Sequence, residues 1–286
     1  NTPTVAPAPN MDPHPERRSR LGMEQPPEIS IPYMSQLAFA EDDFKDALRG
    51  ALRLDPDVIY GGEINNAETA RLCIQAAMTG HLVPATLHAN NVNTGLRRLV
   101  GDKGMQVPLE DLCADDVLRL AQFQTLLPTL CTECKQPAIP YLSRLQIQAI
   151  EDLQIDPMNL FTRFQGSRNP CPHCRGRGIR KRTVLAEVVR PTPDFLEALL
   201  HQGVNAAMEV YRGTRRAGFA SEDQVGKNAM EHGLYKASIG VICARQLVEE
   251  FDVTRHPEVL RKEAARRRQR DHEDRHATIA HRPEPA

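Results

Sequence analysis

The sequence predicts an α/β protein with a parallel sheet flanked by helices, and three patterns support this. The segment "DDFKDALRGALRLDP" places apolar residues from Phe44 to Leu52 at helical spacing. "DVIYGG" follows as a short apolar strand that ends in glycines, and "NNAETARLCIQAAMTG" then repeats the helical spacing. "HLVPATLH" indicates another strand. Helices and strands therefore alternate, which is typical of a parallel sheet.

Residues at the ends of these elements support the same order. Asn65 and Glu68 have capping-box spacing before the second helix. Gly80 stands where a glycine commonly ends a helix. Pro84 would remove a hydrogen-bond donor from a central strand, so we expect a bulge or an edge position there.

The composition is that of a globular protein, with 41% hydrophobic and 26% charged residues among 286. The net charge of −1 gives no overall basic field to attract nucleic acid. No apolar run approaches the roughly 18 residues that span a bilayer, and no secretory leader is evident. We therefore expect a cytoplasmic protein that begins with a disordered proline-rich leader over residues 1–20.

The remaining chain is mostly helical in pattern beyond Asn91. The helical stretches are predicted at residues 94–100, 109–127, 194–211 and 223–251. The predicted regions are the leader (1–20), an α/β core (21–130), a cysteine-bearing subdomain (131–187), a helical region (188–253) and a charged tail (254–286).

Four of the seven cysteines form two C-x-x-C pairs, which predict a metal site. The pairs are "CTEC", Cys131 and Cys134, and "CPHC", Cys171 and Cys174. Four thiolates suit a closed, tetrahedral, structural Zn²⁺ site with bonds of about 2.3 Å. His173 lies inside the second pair and is an alternative ligand. The other three cysteines lie in apolar helical contexts and are predicted core residues: Cys73, Cys113 and Cys243.

The order "DPDVIYGGEINNAETA…AAMTGHLVPATLHANN" closely resembles the Walker B and histidine boxes of the secretion ATPases, the motors of type II secretion and type IV pilus assembly. The resemblance runs from about Met23 to Phe251. It implies a partial RecA-like P-loop NTPase core, with an inserted tetracysteine zinc subdomain and a helical C-terminal region.

The resemblance also assigns roles to residues at the strand ends. It implies that Glu63, after Gly62, serves the attacking water and Mg²⁺ of an ATP-hydrolysing site. His88 is implied to sense the γ-phosphate, and His81 to make a supporting contact. An imidazole suits this task because it can donate to a phosphate oxygen. The alternative for both histidines is a structural cap at a strand end.

Upstream, "MEQPPE" looks like a degraded version of the family's aspartate box. Glu24 and Glu28 match its acidic positions and are implied to shape the nucleotide pocket. Gln25 replaces the aspartate and cannot act as a charged ligand or a base. Asn65 and Asn66 stand where the family usually has arginine and aspartate.

The sequence contains no G-x-x-x-x-G-K-[ST] loop, which in this family cradles the β- and γ-phosphates. Two explanations remain open. The chain is the C-terminal portion of a longer or disrupted gene, which we favour because the other boxes are largely intact. The alternative is a degenerate member that no longer binds ATP alone.

The cysteine pairs and the following "GRGIRKRTVLAEVV" resemble the assembly and type II secretion branch, and retraction ATPases generally lack this subdomain. The family design implies a hexamer that hydrolyses ATP and acts on an inner-membrane platform protein, without direct nucleic-acid contact. Two other classes remain: a non-catalytic assembly subunit that keeps the fold and zinc, and a zinc-dependent nucleic-acid binder, which would need a basic face.

Overall fold

The computed structural model describes residues 18–24, 30–38, 44–164 and 170–261. The chain folds into two compact units. The first unit takes residues up to Phe123 together with Val188–Thr214, and the second takes Gln124–Glu187 together with residues from Arg215 onward. Most of the predicted leader and of the predicted charged tail lie outside the described residues.

The first unit contains a parallel three-stranded sheet. Its strands are β1 (Arg20–Glu24), β2 (Ser35–Ala38) and β3 (Val58–Tyr60). The order is β2-β1-β3, and Leu21 stands opposite Ser35 on one side and Ile59 on the other. All three strands of this sheet run in the same direction, so the prediction of a parallel α/β sheet is confirmed.

Helices follow the strands of the first unit along the chain. They are α1 (Phe44–Leu52), α2 (Ala67–Met78), α3 (Val92–Val100) and α4 (Leu109–Leu112). Two residues of the predicted apolar stripe of α1 are buried: Leu48 and Ala51 pack with Met23, Ile59 and Ala76 in one core cluster. This cluster fixes α1 and α2 on the sheet because it removes their apolar surface from water.

A second core cluster joins α3 to α6 (Pro193–Gln202) and α7 (Val204–Gly213). Leu96, Phe195 and Leu199 are fully or almost fully buried in it. The single helix predicted at residues 194–211 is therefore two helices. Gly203, with φ of 88°, separates them, since a positive φ interrupts a right-handed helix.

Among the described residues, the second unit holds most of one two-stranded sheet, a second small sheet and three α-helices. β4 (Ala121–Leu130) pairs with β7 (Ile179–Val189), and β5 (Gln136–Pro137) pairs antiparallel with β6 (Phe161–Thr162). The helices are α5 (Arg144–Asp152), α8 (Ala229–Ser238) and α9 (Ala244–Glu250). The helix predicted at residues 223–251 is also divided, into α8 and α9.

The prediction of one helix over residues 109–127 was wrong. α4 ends at Leu112, and the residues from Ala121 onward form β4. Leucines in this segment imitate helical spacing, but Pro128 would clash with the preceding turn of a helix. Phe123 and Thr125 favour the pleated strand, and pairing with β7 satisfies the backbone.

Side chains of α8 cover the polar backbone of β7. Lys236 Nζ donates to Val184 O at 2.6 Å and to Thr183 Oγ1 at 2.7 Å. The amide of Ala186 donates to Nδ1 of His232 at 3.1 Å. These contacts protect a strand edge that would otherwise offer unpaired groups to another chain.

None of the helices in the described part of the chain is long and apolar enough to cross a bilayer.

Candidate functional site

Glu63 follows β3 after a glycine bulge. Leu82 is bridged to Val58 and Thr86 is bridged to Glu63, so five residue steps on one side match four on the other. The extra residue falls at Gly61–Gly62, and Gly62 has φ of 59°, in the left-handed region that favours glycine. Such a bulge turns the following side chain relative to a regular strand, and here that side chain is Glu63.

The segment Leu82–Thr86 runs parallel to β3 on the side away from β1. Gly61 N donates to Pro84 O at 2.8 Å, and Thr86 N donates to Gly62 O at 2.8 Å. Pro84 therefore contributes a carbonyl and needs no amide in this pairing. Within the described residues this segment pairs with β3 alone, which agrees with the edge position expected as one of two alternatives for Pro84.

Glu63 and His88 meet beyond the carboxyl ends of these paired segments. His88 Nε2 lies 3.3 Å from Glu63 Oε1, and both side chains are about half exposed. The hydroxyl of Thr86 donates to Gly62 O at 3.0 Å, which fixes the bulge next to Glu63. Arg98 Nη1 donates to the carbonyl of His88 at 2.8 Å. An acid and an imidazole therefore share one open site at the end of a parallel sheet, where ligands of such sheets commonly bind.

His81 lies at the other end of the same segment. Its Nδ1 lies 3.1 Å from Ala76 O and 3.1 Å from Thr79 Oγ1, both at the C-terminus of α2. The segment from Leu82 to Thr86 separates it from His88 along the parallel pairing. The structure thus brings Glu63 and His88 together but places His81 against a helix end, and its predicted role at the phosphate stays a prediction.

The acidic residues predicted from the aspartate box are only partly described. Glu24 is the last residue of β1, paired in register with Ala38. Its side chain, together with Gln25 and Glu28, lies outside the described parts of the structure.

The cap of α2 differs from the prediction by one residue. Asn66, and not Asn65, is the N-cap, and its side-chain oxygen accepts from Thr69 N at 2.8 Å. Asn65 accepts instead from the side chain of Asn66. Gly80, with φ of 94°, ends the helix as predicted.

The four predicted metal ligands form one cluster in the second unit. The sulfur atoms of Cys131, Cys134, Cys171 and Cys174 all lie within 4.8 Å of one another. Cys134 Sγ is 3.7 Å from Cys174 Sγ. Bonds of about 2.3 Å to a tetrahedral Zn²⁺ would separate the sulfurs by about 3.8 Å. The cluster therefore fits this metal.

One backbone amide favours a thiolate at the second C-x-x-C pair. Gly178 N donates to Cys174 Sγ at 3.1 Å, and Cys131 N donates to Gly178 O at 3.0 Å. Burial opposes the charged form of Cys174, but the Gly178 amide and the neighbouring thiols together lower its pKa to about 7. Burial and the same thiols raise the pKa of Cys134. Within the cluster, Cys174 is therefore the thiol that loses its proton most readily.

The other cysteines are separate from this cluster. Cys73 and Cys243 are buried, and Cys113 is half-buried. Burial raises the pKa of Cys73 to about 12, so this thiol stays protonated in the core.

Sequence reasoning missed Thr86 and Arg98. Thr86 is a small hydroxyl residue two positions before His88, which is a general signal of a backbone hydrogen bond near a strand end. Arg98 lies ten residues after His88, and only the direction of α3 brings the two together. No local pattern in the sequence reports that contact.

The parallel sheet and its helices have a RecA-like fold, with a carboxylate against an imidazole beyond the strand ends. The described fold agrees with solved ATPases of this class. The pilus retraction motor PilT with bound ADP has 20% identity and a TM-score of 0.54, covering 82% of this chain and 52% of PilT. The ATPase DotB of Legionella pneumophila has 22% identity and a TM-score of 0.53, covering 81% of this chain and 51% of DotB.

Sequence comparison gives the particular family. The family described as "Type II/IV secretion system protein" matches residues 15–237, and the chain belongs to it. The type IV pilus assembly ATPase PilB of Myxococcus xanthus is 34% identical over 213 residues, 73% of this chain and 36% of PilB. The type II secretion system ATPase E of Vibrio cholerae is 35% identical over 187 residues, 64% of this chain and 35% of that protein. The chain spans about a third of the length of these curated relatives.

Proposed function

We propose that the chain forms part of the ATP-hydrolysing core of a motor for type IV pilus assembly or type II secretion. In this proposal the motor is a hexamer that couples ATP hydrolysis to the addition of pilin or pseudopilin subunits. It works in the cytoplasm against a platform protein of the bacterial inner membrane. Membership of the family and the names of the relatives support the motor function.

The contact between Glu63 and His88 carries this proposal. At 3.3 Å, one carboxylate and one imidazole face the same open space at the sheet end. Glu63 would accept a proton from the attacking water, and the ring of His88 would donate to an oxygen of the terminal phosphate. Mg²⁺, when bound with ATP, neutralises charge on the phosphates. Gly62, Glu24 and Glu28 are proposed to shape the pocket around them. The supporting contact predicted for His81 is a separate proposal, because its ring lies against the C-terminus of α2.

Isothermal titration calorimetry with MgATP tests nucleotide binding by the chain. Micromolar affinity supports the proposal. Glu63→Gln should retain binding, since the amide is isosteric, and should lose phosphate release by about 10²–10⁴-fold if the carboxylate is the general base. Glu197→Gln, a change on α6, is the matched control and should leave both unchanged. Equal turnover in parent and Glu63→Gln would contradict the role of Glu63.

A second candidate is a non-catalytic family member that retains the fold. The sequence supports it, since the residues given include no G-x-x-x-x-G-K-[ST] loop. This candidate predicts no heat of MgATP binding by the chain. Micromolar binding would contradict it.

We also propose that the four clustered cysteines hold a structural Zn²⁺. Their sulfur spacing and the amide of Gly178 on Cys174 support this. The ion would close a site with no open coordination position, so its contribution is to stability and not to catalysis.

A further inference from the structure

We propose that Arg98 is a positioning residue for His88, a role that rests on the proposed nucleotide site. Arg98 Nη1 donates to the carbonyl oxygen of His88 at 2.8 Å. Arg98 would thereby fix the main chain that carries the imidazole, and so fix the distance from the imidazole to Glu63.

Arg98 contacts the main chain where His88 lies beyond the paired part of its segment. The last ladder contacts before it are those of Thr86, whose amide donates to Gly62 O and whose carbonyl accepts from Ile64 N. Regular structure resumes at Val92, after the N-cap Asn91. His88 therefore stands in a short connection between two fixed ends, and Arg98 contacts it from the helix that follows.

The backbone of Arg98 is itself held in place. Val92 and Leu96 on α3 are buried in the core cluster. The carbonyl of Arg98 accepts from Met105 N at 2.8 Å, in the turn that follows α3. A Cβ on Gly104 would collide with this carbonyl, so the turn closes tightly on Arg98. The guanidinium thus extends from a rigid base, which is the condition for positioning another residue.

The neighbouring arginine provides a natural comparison. Arg97 lies on the same helix, is exposed, and donates from Nε to Asn93 Oδ1 at 3.1 Å within α3. Within the described residues, the guanidinium of Arg98 has the His88 carbonyl as its partner and forms no ion pair. The two adjacent arginines therefore differ in their partners: Arg97 bonds within α3, and Arg98 bonds to the main chain of the candidate site.

Histidine ring NMR of the full chain tests this inference without nucleotide. The ¹³Cε1–¹Hε1 signal of His88 is assigned as the one of ten histidines that His88→Gln removes. Arg98→Ala should shift or broaden that signal, and should make amide hydrogen exchange over residues 87–91 about fivefold to tenfold faster. Arg98→Lys, which keeps a cationic donor, should restore most of the parent signal. Arg97→Ala should change neither.

Three outcomes would overturn the inference. Either Arg98→Ala leaves the His88 signal and the local exchange as in the parent, or Arg97→Ala changes them as much. A role in stability alone would lower the thermal midpoint of Arg98→Ala without moving the His88 signal selectively, and would equally contradict positioning.

The same NMR measurement with added MgATP separates this inference from the proposed function. MgATP should shift the His88 signal in the parent and shift it less in Arg98→Ala. If the parent signal does not respond to MgATP, the proposed nucleotide site fails, while the nucleotide-free comparison still decides whether Arg98 positions His88. If the two proteins respond equally, Arg98 has no role in presenting His88 to the ligand.

Discussion

The two candidate sites of this molecule differ in their access to solvent. The side chains of Glu63 and His88 are 48% and 61% exposed. In the tetracysteine cluster, Cys131 and Cys174 are 0% and 2% exposed, whereas Cys134 and Cys171 are partly exposed. An open pair suits a ligand that enters and leaves in each cycle, whereas closed thiolates suit an ion that stays.

The sites also differ in what holds them. Glu63 and His88 are placed by backbone geometry, through a glycine bulge and the segment paired with β3. Neither side chain is buried. The cysteines instead join two separate turns of the second unit into one cluster. Changes at the open site should therefore affect chemistry, and changes at the closed site should affect folding.

The largest effect is expected from the double change Cys131→Ser and Cys171→Ser. Structural zinc in small peptides contributes about 10–16 kcal/mol of binding free energy, so its loss should unfold much of the second unit. Metal analysis by mass spectrometry should fall from about one zinc per chain to a trace, and circular dichroism should show a lower thermal midpoint.

Cys113→Ser is the matched control, because this half-buried cysteine lies outside the cluster. It should retain the zinc content of the parent. A parent protein without zinc would contradict the assignment of the four cysteines as a structural zinc site. A control that loses as much zinc as the double variant would contradict it equally.

Glu63→Gln is expected to change the stability of the protein little and its activity strongly. Exposed ion pairs contribute about 0–1 kcal/mol, so the free energy of unfolding should change by less than about 1 kcal/mol. Phosphate release should nevertheless fall by about 10²–10⁴-fold under the proposed function. Chemical denaturation and a phosphate assay on the same preparation check both. A large loss of stability would show that the open site also supports the fold.

The first unit was largely predictable from the sequence because its helices are amphipathic and its caps are local. Leu48 and Ala51 are buried as their spacing predicts, and Gly80 ends α2. The resemblance of the histidine and Walker B boxes also indicated that Glu63 and His88 would meet.

The remainder depended on contacts between distant residues. β4 resembles a helix in its leucine spacing, and its strand form follows from pairing with β7, about fifty residues later in the chain. The bulge at Gly62 follows from a mismatch between two paired segments. The contact of Arg98 with His88 depends on the direction of α3. Local propensity reports none of these.

A smaller effect on stability should distinguish Gly62, in the bulge, from Gly50, in a helix. Gly62→Ala forces alanine into the left-handed region, which costs about 1–2 kcal/mol. Gly50→Ala, in α1 with nothing within 4 Å of the added Cβ, should instead stabilise by up to about 1 kcal/mol. Urea denaturation measures both. Equal effects of the two changes would mean that Gly62 is not strained by a side chain, and that the bulge does not depend on glycine.

The smallest expected effect is a pH dependence confined to the second unit. Burial, followed by the charge of Lys236, lowers the pKa of His232 below its ordinary value of 6.5. Its Nδ1 accepts from Ala186 N, so the neutral ring is the form that covers β7. The unfolded chain binds a proton more readily, and the free energy of unfolding should therefore fall as the pH falls below about 6.5.

His232→Asn keeps an acceptor oxygen near the position of Nδ1 without titrating in this range, and should reduce the slope of the unfolding free energy against pH. Hydrogen exchange over residues 179–189 is measured from pH 7.5 to about 5.5. Zinc content is measured in parallel, because acid also displaces metal from thiolates and the two effects must be separated. An unchanged slope in His232→Asn at constant zinc content would remove His232 as the cause and assign acid sensitivity of the second unit to the tetracysteine cluster.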